Sequence, residues 1–125
     1  MPEDKFTRAL KKANEIEISV IGRKTGKQIN LPVWFVHENG TLWLLPVNGS
    51  KTHWYQNLLK NPTISIKVGN EDRTLNAQVL KTATSVGNVI QSFQQKYKPE
   101  MITKYYPGPL DAAVKISLWS TRLKE

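Results

Sequence analysis

Two short basic segments carry the polar chemistry of this sequence. Gly22-Arg23-Lys24-Thr25-Gly26-Lys27 places three cations around a turn, and three converging positive charges attract a phosphate through charge-assisted hydrogen bonds. Val47-Asn48-Gly49-Ser50-Lys51-Thr52 leads into the start of a helix, where free amide groups and the helix dipole make a ready cradle for an anion. Each segment also has a plainer reading, as a solvated turn and as ordinary capping. Two such cradles in one small chain strengthen the case for an anionic ligand. Gly49-Ser50-Lys51-Thr52 imitates the end of a phosphate-binding P-loop. The Gly that should precede the Lys is missing, as is the one five residues earlier, so an NTPase is excluded.

The familiar catalytic constellations are absent. There is no G-x-S-x-G, no paired-carboxylate motif and no H-E-x-x-H. The chain has no Cys, which removes disulfides, thiolate catalysis, iron–sulfur clusters and Cys zinc sites. With only His37 and His53 as histidines, no metal site is expected. Of the aromatics, Trp34, Trp43, Trp54 and Trp119 could stack on a planar ring, although core packing is the commoner role. Trp34 stands out because it alternates with Gln28, Asn30 and Pro32 on the more polar face of its segment.

The elements that must position these residues belong to one small domain, residues 1–125, with a formal charge of +8. Fourteen Lys and four Arg face ten acids, and this balance favours an anionic partner without naming it. No segment is apolar and long enough to span a membrane. The N-terminus lacks the apolar run of a signal peptide, and a cytoplasmic location is the simplest expectation.

Residues 3–13 read as a short helix, with Phe6, Leu10 and Ala13 on one side. From Glu15 the period changes to two. Ile16, Ile18 and Val20 alternate with polar neighbours, and Ile29, Leu31, Val33 and Phe35 repeat the pattern in a second strand. Pro32 suggests an edge or a bulge there. Asn39-Gly40 predicts a tight hairpin into a third strand, Thr41–Val47. A helix from about His53 to Asn61 stops at Pro62. Strands follow at Thr63–Val68 and at roughly Arg73–Thr84. Ser85 is placed to cap a helix carrying Val86, Val89, Ile90, Phe93 and Tyr97 on its apolar side. A short helical turn runs from Pro99 through Tyr106, and Val114, Ile116 and Leu118 mark a last strand. Strands joined by tight hairpins predict a mainly β, α+β domain: a six-stranded antiparallel split β-barrel with flanking helices.

Several segments together resemble the deazaflavin-dependent nitroreductase family, within the flavin- and deazaflavin-binding split β-barrel superfamily. They are Gly22-Arg23-Lys24-Thr25-Gly26-Lys27, Leu31-Pro32-Val33-Trp34, Leu45-Pro46-Val47-Asn48-Gly49-Ser50, and Trp54-Tyr55-x-Asn57-Leu58-x-Lys60-Asn61-Pro62. The resemblance implies an oxidoreductase that passes a hydride from reduced deazaflavin, coenzyme F-420, to a quinone or nitro compound. FMN is the alternative cofactor. The protein's tasks would then be binding, orientation and exclusion of water.

By the same resemblance, Arg23, Lys24, Thr25 and Lys27 would hold the phosphate or acidic tail of the cofactor. Gly49, Ser50, Lys51 and Thr52 would offer donors to ring or phosphate. Pro46 and Val47 would line the ring, with Trp34 beside it. Asn57 would orient the basic loop from the helix. Tyr105 and Tyr106 match tyrosines that some members place over the substrate, as proton donor or lid. Split barrels that bind FMN are frequently homodimers, so self-association is compatible with the pattern. The rival is a non-enzymatic binding module, a cofactor-less barrel for a small ligand or single-stranded nucleic acid. Nucleic acid is the less favoured partner, because the cations cluster at two loops and do not track an aromatic-lined groove.

Overall fold

The structure is a computed structural model and describes residues 4–118. Trp119, expected on the last strand, lies outside the described residues. In chain order the elements are α1 (Lys5–Lys12), β1 (Ile16–Ile21), β2 (Gln28–Val33), β3 (Val36–Glu38), β4 (Thr41–Leu44), α2 (His53–Lys60), β5 (Thr63–Val68), β6 (Glu71–Leu80), α3 (Ala83–Tyr97), α4 (Pro99–Tyr105) and β7 (Ala113–Ser117). A one-turn 3-10 segment, Gly49–Lys51, precedes α2.

All strand pairs are antiparallel, in the order β2-β1-β5-β6-β7-β4-β3. The sheet therefore has seven strands instead of the expected six. The expected second strand ends at Val33, and past the Trp34-Phe35 crossover a further short strand, Val36–Glu38, forms the opposite edge of the sheet. The chain crosses there from one half of the barrel to the other, although alternation continues through the break. β6 joins the halves on the far side: residues 71–76 pair with β5 and residues 77–80 with β7.

The period-two pattern has its expected consequence. Ile16, Ile18 and Val20 of β1 are buried while their neighbours are half-exposed. Ile18 sits opposite Leu31 in β2 and Ile66 in β5, and these inner faces meet Leu42, Leu44, Val114 and Ile116 in one core. α1 covers one end with Phe6 and Leu10. α3 buries Val86, Val89 and Phe93 against Val36, Leu45 and Ala113 in a second cluster. Burial of each such side chain contributes about 1.5–3 kcal/mol.

Element ends differ from expectation where polar contacts decide them. Thr82 caps α3 in place of Ser85, whose N–H it accepts at 3.1 Å. β4 stops at Leu44, ahead of Pro46, which has no N–H to offer a ladder. Asn39 and Gly40 both take positive φ, 52° and 77°, as a two-residue hairpin requires. No helix among the described residues is long and apolar enough to cross a membrane.

Candidate functional site

β2 has no sheet neighbour beyond β1, so the inner face of this edge is only partly covered. Ile29 is 42% exposed, and Leu31 and Val33 are half-buried. Two adjoining cavities lie along it. The lower, about 520 Å³, is lined by Ile29, Leu31, Trp54 and Asn57 together with Asn48, Lys51, Thr52, His53 and Pro109. The upper, about 370 Å³, is lined by Leu31, Val33, Trp34, Leu45, Val47, Trp54, Tyr105 and Tyr106, with Glu15 and Pro32. Leu31 and Trp54 belong to both, which makes a single groove of largely apolar lining with a cationic end and an aromatic end.

The cationic end is built on the start of α2. Thr52 stands at its N-cap but gives the helix no side-chain cap; its hydroxyl accepts from Asn48 N–H at 2.8 Å instead. The first-turn amides of α2 therefore have no side-chain cap, and the residues at this helix start, Thr52, His53 and Trp54, line the cavity with Lys51. Asn57, one turn further along, is 3% exposed. Its side-chain oxygen accepts from Arg23 N–H at 3.1 Å and from Arg23 Nη1 at 2.7 Å. The same guanidinium lies 3.3 Å from the His53 carbonyl oxygen and 3.3 Å from His53 Nδ1, while Lys60 Nζ donates to the Arg23 carbonyl at 3.1 Å. The basic turn is thereby fastened to α2.

Lys24, Thr25 and Lys27 are exposed on that turn, where Thr25 Oγ1 accepts from Lys27 N–H at 3.2 Å. Neither they nor Arg23 line the two cavities. The structure gathers Trp34, Val47, Lys51, Thr52, Asn57, Tyr105 and Tyr106 in the groove; Pro46 is buried beside it.

Gly49 and Ser50 have another partner. Asp111 Oδ1 accepts Ser50 N–H at 2.7 Å, and Asp111 Oδ2 accepts from Ser50 Oγ at 2.8 Å. These bonds hold the Asp111 carboxyl below the ordinary carboxylate range. A Cβ on Gly49 would come within 2.2 Å of both Asp111 Oδ1 and the Pro109 carbonyl oxygen. The two residues therefore latch the Pro107–Asp111 segment onto the 3-10 turn, and the Ser50 donors are spent there. Asp111 escaped sequence reasoning because nothing local marks it. Trp54, for which core packing is the commoner role, is 6% exposed and with Leu31 forms the wall common to both cavities.

At the aromatic end Trp34 is flanked by three tyrosines. Tyr97 stacks on it, with centroids 4.4 Å apart and planes 9° from parallel. Tyr105 meets it edge-on at 5.5 Å and Tyr106 is tilted at 6.0 Å. Tyr106 is buried, and burial pushes its hydroxyl well above the ordinary phenol range; Tyr105 is 46% exposed at the mouth. No group of His, Cys, Asp and Glu among the described residues could hold a metal.

A curled antiparallel half-barrel with such a groove defines a protein of the flavin- and deazaflavin-binding split-barrel class. The family model described as F420H(2)-dependent quinone reductase matches residues 3–99, and the chain belongs to that family of deazaflavin-dependent oxidoreductases. Membership implies coenzyme F-420 as the cofactor. Among solved structures, the F420-H2 dependent reductase FDR-A is 22% identical, with a TM-score of 0.65 over 83% of this chain and 94% of that one. A second chain, described as a domain-swapped dimer, is also 22% identical, with a TM-score of 0.65 over 83% and 80%. A candidate pyridoxamine 5′-phosphate oxidase from Listeria innocua is 12% identical, with a TM-score of 0.66 over 90% of each chain. These likenesses establish the fold. No curated protein matches the chain.

The groove fits the implied cofactor by the chemistry of its lining. An apolar wall with Trp54 suits a flat fused ring, and uncapped amides with Lys51 suit a phosphorylated tail.

Proposed function

We propose that the protein reduces a small planar electrophile, a quinone or a nitro compound, at the aromatic end of this groove. Reduced F-420, when bound, supplies the hydride. The observation that carries the reading is the change of side-chain type along one largely apolar groove, with Lys51 and His53 beside α2 and Trp34, Tyr105 and Tyr106 at the other end. Lys51, His53 and the first-turn amides of α2 hold the phosphate tail. Arg23 acts through Asn57, keeping the basic turn at that end, while Lys24 and Lys27 add long-range attraction. Leu31, Val33, Val47 and Trp54 surround the ring and exclude water. Trp34 receives the acceptor. Completing a two-electron reduction needs a proton, and the Tyr105 hydroxyl stands at the mouth where solvent can resupply it. Tyr106, buried and hard to ionise, fills the floor.

Parallel titrations with F-420 and with FMN, following cofactor fluorescence, test the reading. Saturable binding of F-420 is expected. Lys51→Ala should weaken it about tenfold, ~1.4 kcal/mol, the scale of one charge-assisted contact. Binding of neither cofactor would refute the proposal and leave a non-enzymatic ligand-binding barrel.

A further inference from the structure

The crossover Trp34-Phe35, where the chain leaves β2 for β3, is held by the last two residues of α3. The Tyr97 hydroxyl oxygen lies 2.8 Å from the Asn14 carbonyl oxygen and 2.9 Å from that of Phe35, and accepts from Phe35 N–H at 3.2 Å. Lys96 Nζ donates to the same Phe35 carbonyl at 2.8 Å and rests 3.6 Å above the Phe35 ring. Burial pushes the Tyr97 phenol up to about 12, so it keeps both donor and acceptor roles through the neutral range. Phe93, one turn earlier, backs the Tyr97 ring at 5.9 Å. Tyr97 is therefore fixed at both ends, and its near-parallel contact at 4.4 Å fixes the indole of Trp34 in turn. An indole not held this way could rotate about its side-chain bonds and close the upper cavity or open it further.

We propose that Tyr97 is a positioning residue for the acceptor: stacked behind Trp34, it sets the plane of the indole against which a planar electrophile lies. The inference rests on the reading of the groove above and adds what selects the electrophile. Tyr97 does not line either cavity, so it touches no acceptor itself, and its direct ring contact with the cavity wall is the stack on Trp34. An aromatic pair of this kind contributes beyond simple burial, and its loss should appear as a selective loss of planar-acceptor affinity.

The test uses the full chain and three variants, Tyr97→Leu, Tyr97→Met and Tyr97→Phe. Near-UV circular dichroism reads the stack. Quenching of tryptophan fluorescence by menadione reads acceptor binding, with Trp34→Phe reporting the part due to the other tryptophans. Tyr97→Leu and Tyr97→Met should lose the near-UV band and weaken menadione about three- to tenfold, with F-420 affinity within about twofold of wild type. Tyr97→Phe, which keeps the ring but loses the hydroxyl's bonds to Phe35 and Asn14, should fall between wild type and Tyr97→Leu in both band and affinity. Equal losses for menadione and F-420, or an unchanged menadione affinity in a folded Leu or Met variant, would overturn the proposal. The Met variant fills the space flexibly and carries the test if the Leu variant does not fold. Failure of wild-type protein to bind F-420 would refute the proposed function, while the menadione and dichroism results would still decide the role of Tyr97.

Discussion

Removing the Asn57 side-chain amide tests how the basic turn is held. In Asn57→Ala, Arg23 loses one backbone bond at 3.1 Å and one guanidinium bond at 2.7 Å to a residue only 3% exposed. A neutral bond is worth about 0.5–1.5 kcal/mol and one to a charged group about 1.5–3 kcal/mol, so the loss should be about 2–4 kcal/mol. With a urea dependence of about 1–3 kcal/mol per molar for a small domain, the midpoint should fall by roughly 1–2 M at unchanged slope. Arg23→Ala should cost less, because the N–H of residue 23 still donates to Asn57 Oδ1. A double-mutant cycle should assign at least about 1 kcal/mol to the pair. The turn, once released from α2, should also weaken F-420 binding. A fall below about 0.5 kcal/mol, with F-420 affinity unchanged, would refute the view that Asn57 anchors this loop.

Two glycines with similar backbones should respond differently to Ala. Gly49 (φ +59°) would drive its Cβ to 2.2 Å from Asp111 and Pro109, whereas Gly26 (φ +74°) has open space. Thermal unfolding should show about 1–2 kcal/mol lost in Gly26→Ala, from the left-handed backbone alone, and a clearly larger loss in Gly49→Ala. At the N-terminus, the Arg73 side chain and the Thr7 N–H hold Asp4 down at about 2. A carboxylate with a lowered folded-state pKa stabilises above its unfolded value, and that stability is lost as pH falls from about 4 through about 2. Asp4→Asn keeps the cap and removes the charge. On so exposed a group it should cost under about 1 kcal/mol at pH 7 and nothing below pH ~2, as read from denaturation midpoints across pH.

Local pattern made much of the architecture legible. Alternation at Ile16–Val20 and Ile64–Val68, the Asn39-Gly40 hairpin and the stop at Asn61-Pro62 all act within a few residues, and each appears in the structure. The strand count slipped because the pattern from Ile29 to Phe35 does not break where the chain changes sheet edge. Only the pairing partners, β1 for β2 and β4 for β3, reveal the crossover. The groove was half legible for the same reason. Lys51, Thr52 and the start of α2 are local features, and the motif pointed to them. The Ser50–Asp111 latch spans 61 residues and the Phe35–Tyr97 clasp spans 62, so no window of sequence contains either. Tyr97 in particular repeats the apolar spacing of α3, and nothing in that spacing distinguishes a core ring from one that backs a functional indole.

The position of the groove follows from the topology. Splitting the barrel at Trp34-Phe35 leaves β2 as an edge whose inner residues, Ile29, Leu31 and Val33, have no opposite strand to cover them. A closed barrel would bury these residues in side-chain packing and have no room for a ring. Here the uncovered apolar strip runs beside the start of α2, which lacks a side-chain cap, so the fold places apolar surface and uncapped helix amides side by side. In the proposed function, ligand completes a surface that the chain alone leaves open. Binding only to the folded state stabilises it by about 2.7 kcal/mol at a hundred times the dissociation constant. That gain should concentrate in hydrogen-exchange protection of β2 and the start of α2, leaving β5 and the first half of β6 unchanged.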